Sequence, residues 1–274
     1  MGKSMRPPAV AGYFYPADKK ELEAMIADWK KDASAQTKNF SLGVVLPHAG
    51  YFYSGVVAAR TIFSTQLRNT AIILGPNHTG LGLPYSVMTE GSWQTPLGEV
   101  EIDSAIAQRI VQGSQFLKTD TLAHDSEHSI EVIVPFLQSV NSFVKIVPIV
   151  IAQAPGEIYK KIGHEIARII IQHHWQNQLS ILASSDMTHF ESHESAQRKD
   201  FLAIESMIQL DTDELLNRVQ EYRISMCGVG PVVIMLEIVK QLGARHGQLI
   251  KYQTSGDVTG DRSSVVGYAG LTVN

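Results

Sequence analysis

Short runs of β-branched and aliphatic residues alternate with amphipathic segments from one end of the chain to the other. The runs predict strands over residues 42–46, 71–74, 144–151, 180–183, 249–254 and 265–273. Apolar positions at helical spacing predict helices over residues 18–32, 104–112, 126–140, 157–174, 194–209, 213–221 and 231–242. Strands that alternate with helices form sheets whose two faces are both covered. The pattern therefore predicts an α/β fold, with a single three-layer α/β/α domain over residues 1–274 and a central, largely parallel mixed sheet.

Two segments interrupt this alternation. Residues 85–102 favour a hairpin-like region between the second strand and the helix over residues 104–112. Pro135 lies inside the helix predicted over residues 126–140. Because proline lacks an N–H and clashes with the preceding turn, we expect it to kink or interrupt that helix.

Three of the apolar strands run into a histidine. The strands and the polar residues that follow them are 42–46 with His48, 71–74 with His78, and 180–183 with Asp186 and His189. Ligands of open α/β sheets bind beyond the carboxyl ends of the parallel strands, so these loops converge if their strands are neighbours. A lone histidine at a strand end more often caps the strand. Three together indicate a metal-type site, because neutral imidazole is the commonest metal ligand and a carboxylate such as Asp186 can orient it.

The chain has one cysteine, Cys227, just before the apolar helix predicted from Pro231. A single cysteine cannot form an intrachain disulfide and fits a reducing compartment. The N-terminus of the helix could lower the thiol pKa and so favour a thiolate. Gly228 and Gly230 would let the backbone approach a site closely. From the residues alone, Cys227 is a small buried hydrophobe, a nucleophile or a metal ligand.

The segment HDSEH, with His124 and His128, matches the H-x-x-E-H pattern of inverzincin peptidases. Zinc peptidase chemistry also needs a third ligand, and the sequence offers no obvious one. We therefore expect the segment to line or support the main site, or to cap its own helix. Aromatic residues at 13–15 and 51–53 could wall a cleft, although core packing is the commoner role for such clusters.

Charge and composition exclude several classes of function. The formal net charge is -4 and no long Lys/Arg run is present, which argues against a nucleic-acid partner. The most apolar stretches, such as residues 144–152, are much shorter than the roughly 20 residues that span a bilayer, so no membrane anchor is expected. The N-terminus lacks a hydrophobic signal region, which favours a cytoplasmic location. The glycine-rich stretches at 80–82 and 228–230 do not complete a nucleotide-binding motif.

Several motifs, in order along nearly the whole chain, resemble those of the MEMO family. They are RPPAVAGYFYP at residues 6–16, PHAGYFYSG at 47–55, LGPNHTG at 74–80, EHSIE at 127–131, SSDMTH at 184–189 and CG at 227–228. The resemblance implies a fold similar to that of class III extradiol ring-cleavage dioxygenases, which hold a non-haem iron at one end of the sheet. It also implies that His48, His78 and Cys227 are the metal ligands, with Asp186 and His189 completing the pocket as the candidate catalytic residues.

One departure from the dioxygenase pattern concerns the third ligand. Those enzymes hold iron with two histidines and a carboxylate, whereas the resemblance places Cys227 at the third position here. Thiolate shifts the preference toward softer ions such as copper(I) or zinc, so ring cleavage does not transfer with the fold. Iron is the expected cofactor, with copper or zinc as alternatives.

Three functions stay open at this point. The first is a metal-binding, dioxygenase-like oxidoreductase with His189 as acid or base. The second is a hydrolase that uses zinc-bound water or a Cys227 thiolate assisted by His189 and Asp186. The third is a non-enzymatic module that binds a peptide or a small molecule, as the signalling associations of the animal members of the MEMO family suggest. In prokaryotes that family often occurs beside radical-SAM and AMMECR-type proteins, which implies pathway partners of those kinds.

Overall fold

A computed structural model of the chain describes residues 4–31 and 40–274. Within these residues the strands are β1 (Met5–Arg6), β2 (Gly43–Leu46), β3 (Thr70–Pro76), β4 (Tyr85–Val87), β5 (Ser92–Thr95), β6 (Gly98–Glu101), β7 (Lys118–Thr119), β8 (Lys145–Ile151), β9 (Leu179–Ser184), β10 (His189–Glu191), β11 (Gly247–Thr254) and β12 (Val265–Val273). The six strands predicted from the sequence are all present as β2, β3, β8, β9, β11 and β12.

The main sheet follows the order β10-β12-β2-β9-β3-β8-β4-β7, and β11 pairs with β12 beside this path. Its central strands β2, β9, β3 and β8 are parallel to one another. The flanking strands β12 and β4 run antiparallel to them. Every residue of β2, β3 and β9 is buried, which is why these strands are continuous apolar runs. The predicted α/β fold with a mixed sheet is confirmed, and the single-domain organisation stays a prediction.

Helices cover both faces of this sheet. They are α1 (Lys19–Lys31), α2 (Tyr51–Ser64), α3 (Ser104–Gly113), α4 (Leu122–Asp125), α5 (Val134–Val140), α6 (Gly156–Gln172), α7 (His193–Ile208), α8 (Thr212–Glu221), α9 (Val229–Gln241) and α10 (Ser255–Thr259). Contacts place α3, α6, α7, α8 and α9 on one face and α1, α2 and α5 on the other, which gives three layers. Among the described residues, no helix combines the length and apolar character needed to span a bilayer.

The helix predicted over residues 126–140 is wrong in its first half. Residues 126–130 are not helical, a 3₁₀ turn covers Glu131–Ile133, and α5 begins only at Val134. Local polar contacts replace the helical hydrogen bonds in this segment. For example, the Glu127 carboxylate accepts a hydrogen bond from Ser129 N at 2.9 Å. Pro135 lies in the first turn of α5, where its missing N–H has no helical partner to lose.

Two further elements differ from the sequence analysis. No element was predicted for α2, which is apolar on most sides and largely buried, so that it lacks the one-sided pattern of a surface helix. Gly55 lets this helix pack closely on α1, since a Cβ there would overlap the Trp29 ring. The hairpin predicted over residues 85–102 exists only as β5 and β6. In a separate sheet β5 pairs with β6 and with β1, while β4 joins the main sheet.

Candidate metal centre

The carboxyl ends of β2, β9 and β3 lie side by side at one edge of the main sheet. His48 follows β2 and His78 follows β3, and their ring centroids are 5.0 Å apart. Asp186 and His189 follow β9 and line the same cleft as these two rings. Because the three strands are parallel neighbours, the loops that the sequence analysis singled out converge.

His48 is held in a defined protonation state by Ser184, the last residue of β9. The Ser184 hydroxyl donates its proton to the Ser129 carbonyl oxygen at 2.6 Å. The 2.7 Å contact between Ser184 Oγ and His48 Nδ1 must therefore be donated by the ring N–H. Burial, together with the neighbouring histidines, holds the pKa of His48 well below its usual range. The ring is thus neutral, with the lone pair on Nε2, which is the form that binds a metal ion.

His78 is oriented by the buried carboxylate of Glu127. His78 Nδ1 lies 2.9 Å from Glu127 Oε1, and the His78 backbone N donates to Oε2 at 2.6 Å. Burial alone would raise the pKa of Glu127, but the bonds from the His78 ring and from backbone N–H groups lower it to about 2. The carboxylate therefore accepts from Nδ1–H and leaves Nε2 free, the arrangement that orients metal-binding histidines in proteins.

Cys227 brings its sulfur against His48, with Sγ 3.2 Å from Nε2. Gly228 allows this approach, because a Cβ at that position would overlap the Ser184 carbonyl oxygen and the Ser185 side chain. The prediction of a lowered thiol pKa is wrong: burial, with the neighbouring Asp186 carboxylate, raises it. Since His48 Nε2 is an acceptor, the Cys227 thiol donates to it in the metal-free protein.

Asp186 anchors the loop that carries His48. Its Oδ1 accepts from the His48 backbone N at 2.8 Å, and its side chain lines the cleft. Burial raises the pKa of Asp186 to about 6, although bonds from the backbone N–H groups of His48 and Ala49 act in the opposite direction. The carboxyl is therefore an ionisable group that the fold keeps beside the candidate metal ligands.

His189 is fixed by the loop that precedes Cys227. Its Nδ1 lies 3.0 Å from the Ser225 carbonyl oxygen, and its backbone N donates to Ser225 Oγ at 2.7 Å. A carbonyl oxygen only accepts, so the proton is on Nδ1 when the ring is neutral. Nε2 of His189 is then available to accept a proton from a molecule in the cleft.

The cleft above these residues has a volume of about 460 Å³ and opens to solvent. Aromatic rings of Tyr13, Phe14, Tyr53 and Tyr268 line it. The interpretation of the aromatic clusters as a cleft wall is thus confirmed for three residues, whereas Tyr15 and Tyr51 are buried in the core. Tyr268 was missed, because nothing in the sequence of a buried closing strand marks one residue as facing a cleft.

The segment after α4 supports the site, as the H-x-x-E-H motif led us to expect. The His128 ring stacks on that of His78 with a centroid distance of 4.6 Å and lies 5.5 Å from that of His48. His124, in contrast, is buried 6.1 Å from the Trp93 ring, and α4 ends before His128. The two histidines do not share a helical face, so the inverzincin interpretation is wrong.

Two groups of side chains in the described ranges have ligand atoms that all lie within 4.8 Å of one another: His48, His78 and Cys227, and His78, Glu127 and His128. In the second group the Glu127 carboxylate already accepts from His78 Nδ1 and from backbone N–H groups. The first group offers the Nε2 lone pairs of both rings and a sulfur, and only the Cys227 thiol proton occupies the His48 lone pair. Two imidazoles and one thiolate are nitrogen and sulfur ligands of the kind that would hold zinc or copper. The residues present therefore fit a single transition-metal ion.

Comparisons with known proteins identify the family of the chain. The profile of the Memo-like protein family matches residues 6–272. The chain is 44% identical over 280 residues to the MEMO1 family protein MK0963 of Methanopyrus kandleri, and the alignment covers 97% of this chain and 98% of that protein. It is 41% identical over 286 residues to the MEMO1 family protein MJ0403 of Methanocaldococcus jannaschii, with 98% and 99% covered.

A solved structure shares the fold at much lower sequence identity. The crystal structure of the uncharacterized protein JW3007 from Escherichia coli K12 superposes with a TM-score of 0.56 and 13% identity. The match covers 84% of this chain and 98% of the other. At this identity the likeness concerns the fold alone.

Proposed function

The chain belongs to the Memo-like protein family, and we propose that it is a metal-binding member that holds one transition-metal ion on His48, His78 and Cys227. The observation that carries the proposal is the pair of fixed imidazoles. Ser184 Oγ and the Glu127 carboxylate each accept a hydrogen bond from the Nδ1–H of one ring, so both Nε2 lone pairs point to the side where Cys227 Sγ lies. If the two rings were only part of the core, nothing would require both of them to carry the proton on Nδ1 and the lone pair on Nε2.

We propose iron as the bound ion, with copper and zinc as the competing ions. Two imidazoles suit all three metals, and the thiolate moves the preference toward copper(I) and zinc. The thiol proton must leave when the metal binds, because the thiolate is the ligand form.

The proposed activity is that of a dioxygenase-like oxidoreductase that acts on a small molecule in the cleft. A bound iron or copper ion supplies Lewis acidity and one-electron chemistry. His189 receives or returns a proton at Nε2, because its Nδ1 is bound to the Ser225 carbonyl oxygen. Asp186 holds the His48 backbone and presents a second ionisable group to the cleft. The aromatic wall binds the apolar part of the ligand and limits access of water.

A non-enzymatic binding module is the second candidate, favoured by the exposed aromatic residues around the cleft. Tyr13 is 89% exposed and Tyr53 is 39% exposed. Such rings in a wide cleft suit a peptide or small-molecule ligand without any turnover. Radical-SAM and AMMECR-type proteins remain proposed pathway partners on the family resemblance alone.

Metal loading of the purified protein tests the proposal. After anaerobic loading with Fe²⁺, Cu⁺ or Zn²⁺ and removal of free metal, we expect elemental analysis to give one ion per chain. The double variant His48→Ala/His78→Ala should retain none, whereas His164→Ala, which changes an exposed histidine bound to Glu237, should load fully. Wild-type protein that stays metal-free with all three ions would contradict the proposal. Oxygen uptake by the iron-loaded protein with catechols then separates the oxidoreductase from the binding module.

A further inference from the structure

A buried arginine lies behind the candidate metal centre. Arg6, in β1, is 3% exposed. Its Nε donates to the His124 carbonyl oxygen at 2.6 Å, and its Nη2 donates to the Glu127 carbonyl oxygen at 2.9 Å. The guanidinium therefore joins β1 to the backbone at His124 and at Glu127.

The guanidinium is itself fixed from several sides. Its Nη1 pairs with Glu131 Oε2 at 2.6 Å, and its Cζ lies 4.2 Å from the centroid of the Trp93 ring. Glu131 is fully buried and also accepts from Tyr15 Oη at 2.6 Å. A buried ion pair seldom stabilises a fold more than apolar residues of the same size would. The stability of the fold alone therefore does not explain why a charge pair occupies this position.

The segment that Arg6 holds is the one that departs from helical geometry. Because residues 126–130 are not helical, the Glu127 carbonyl lacks the helical donor that a continuous helix would supply, and Arg6 provides one. The side chain of the same residue orients His78 through two bonds, from the His78 backbone N and from its Nδ1. The position of the Glu127 backbone thus sets where its carboxylate meets the His78 ring.

We propose that Arg6 is a positioning residue for the metal centre: it fixes the Glu127 backbone and so keeps the Glu127 carboxylate on His78 Nδ1. The part of this inference that concerns metal affinity rests on the proposed function, and the part that concerns the His78 tautomer does not. Lysine cannot replace arginine here, because one ammonium cannot reach two carbonyl oxygens and a carboxylate in the planar arrangement of a guanidinium.

The variant Arg6→Lys tests the inference with two measurements on the full chain. The first is the ring tautomer of His78 in the metal-free protein, read from ¹⁵N-histidine NMR. We expect only the Nδ1–H form in the wild type and a mixture of both tautomers in Arg6→Lys. The second is the affinity for Co²⁺, followed by the thiolate-to-cobalt absorption band. We expect it to fall between about 10-fold and 100-fold, as for other changes around metal-binding histidines.

Arg218→Lys is the matched control. Like Arg6, Arg218 donates to a backbone carbonyl oxygen, that of Leu202, and pairs with a carboxylate, that of Glu205. Unlike Arg6, it contacts none of the described residues around the metal centre, and it lies outside the cleft. It should lower the thermal unfolding midpoint without changing the His78 tautomer or the Co²⁺ affinity. Wild-type values of both quantities in folded Arg6→Lys would overturn the inference and leave the metal site standing. If the wild type binds no Co²⁺, the proposed function fails, and the tautomer measurement alone decides the role of Arg6.

A second variant covers the case in which Arg6→Lys does not fold. Glu131→Gln keeps the size of the side chain and removes the charge that holds the Arg6 guanidinium. We expect it to shift the His78 tautomer and the Co²⁺ affinity in the same direction as Arg6→Lys, by a smaller amount. Unchanged values in this folded variant would also overturn the inference.

Discussion

Replacing Cys227 with serine is expected to lower the affinity for Co²⁺ by about 100-fold or more, because a thiolate ligand is replaced by a hydroxyl that stays protonated near neutral pH. The measurement is a Co²⁺ titration followed by the thiolate-to-cobalt absorption band and, in parallel, by competition with a chelating dye. The chain contains one cysteine, so that band reports this ligand alone. The band should be absent in Cys227→Ser at every Co²⁺ concentration.

The fold should tolerate this substitution, because serine is close to cysteine in size and its hydroxyl can replace the thiol between His48 Nε2 and the Asp186 backbone. We expect the unfolding midpoint of the metal-free variant to stay near that of the wild type. Co²⁺ should stabilise the wild type against heat and stabilise the variant much less at the same concentration, since a ligand that binds only the folded state raises its stability more when its affinity is higher. Wild-type Co²⁺ affinity in Cys227→Ser would remove Cys227 from the ligand set.

Replacing Glu131 with alanine should have the largest effect on stability, a loss of about 3–5 kcal/mol in the free energy of unfolding. The substitution leaves the Arg6 charge buried without its counter-charge. It also removes the acceptor of Ala9 N, Val10 N and the Tyr15 hydroxyl, which lie 2.8, 3.0 and 2.6 Å from the carboxylate oxygens. Urea unfolding of the metal-free protein measures the change.

The control for this prediction is an ion pair at the surface. Asp28 and Lys31 pair at 3.1 Å, but both side chains are 75% exposed. Asp28→Ala should therefore change the free energy of unfolding by no more than about 0.5 kcal/mol. If Glu131→Ala lowered the free energy of unfolding no more than Asp28→Ala does, the contacts of Glu131 with Arg6 and with the N-terminal backbone would not stabilise the fold.

The central strands could be anticipated from the sequence for a physical reason, and so could the convergence of their loops on the condition that the strands are neighbours. Parallel strands buried on both faces must be continuous apolar runs, and this makes β2, β3 and β9 easy to recognise. Their carboxyl ends share one edge, so the polar residues that follow them, such as His48 and His78, meet there. Cys227 was placed beside them by the family resemblance alone.

The features that the sequence did not predict depend on contacts between residues that are distant in the chain. The chain is not helical at Glu127, where Arg6, more than 100 positions away, donates a hydrogen bond to the Glu127 carbonyl oxygen. The thiol pKa of Cys227 rises because burial and the Asp186 carboxylate outweigh the hydrogen bonds that lower it. His48 owes its tautomer to Ser184, which bonds to Ser129 in turn. No local pattern contains these partners.

The central claim is that one ion binds between His48, His78 and Cys227, and anomalous diffraction tests it most directly. Crystals loaded anaerobically with Fe²⁺ should give, in data collected at the iron edge, a single strong peak within bonding distance of both Nε2 atoms and of Sγ. A peak held instead by His78, Glu127 and His128, or a peak only at surface histidines such as His164, would contradict the claim.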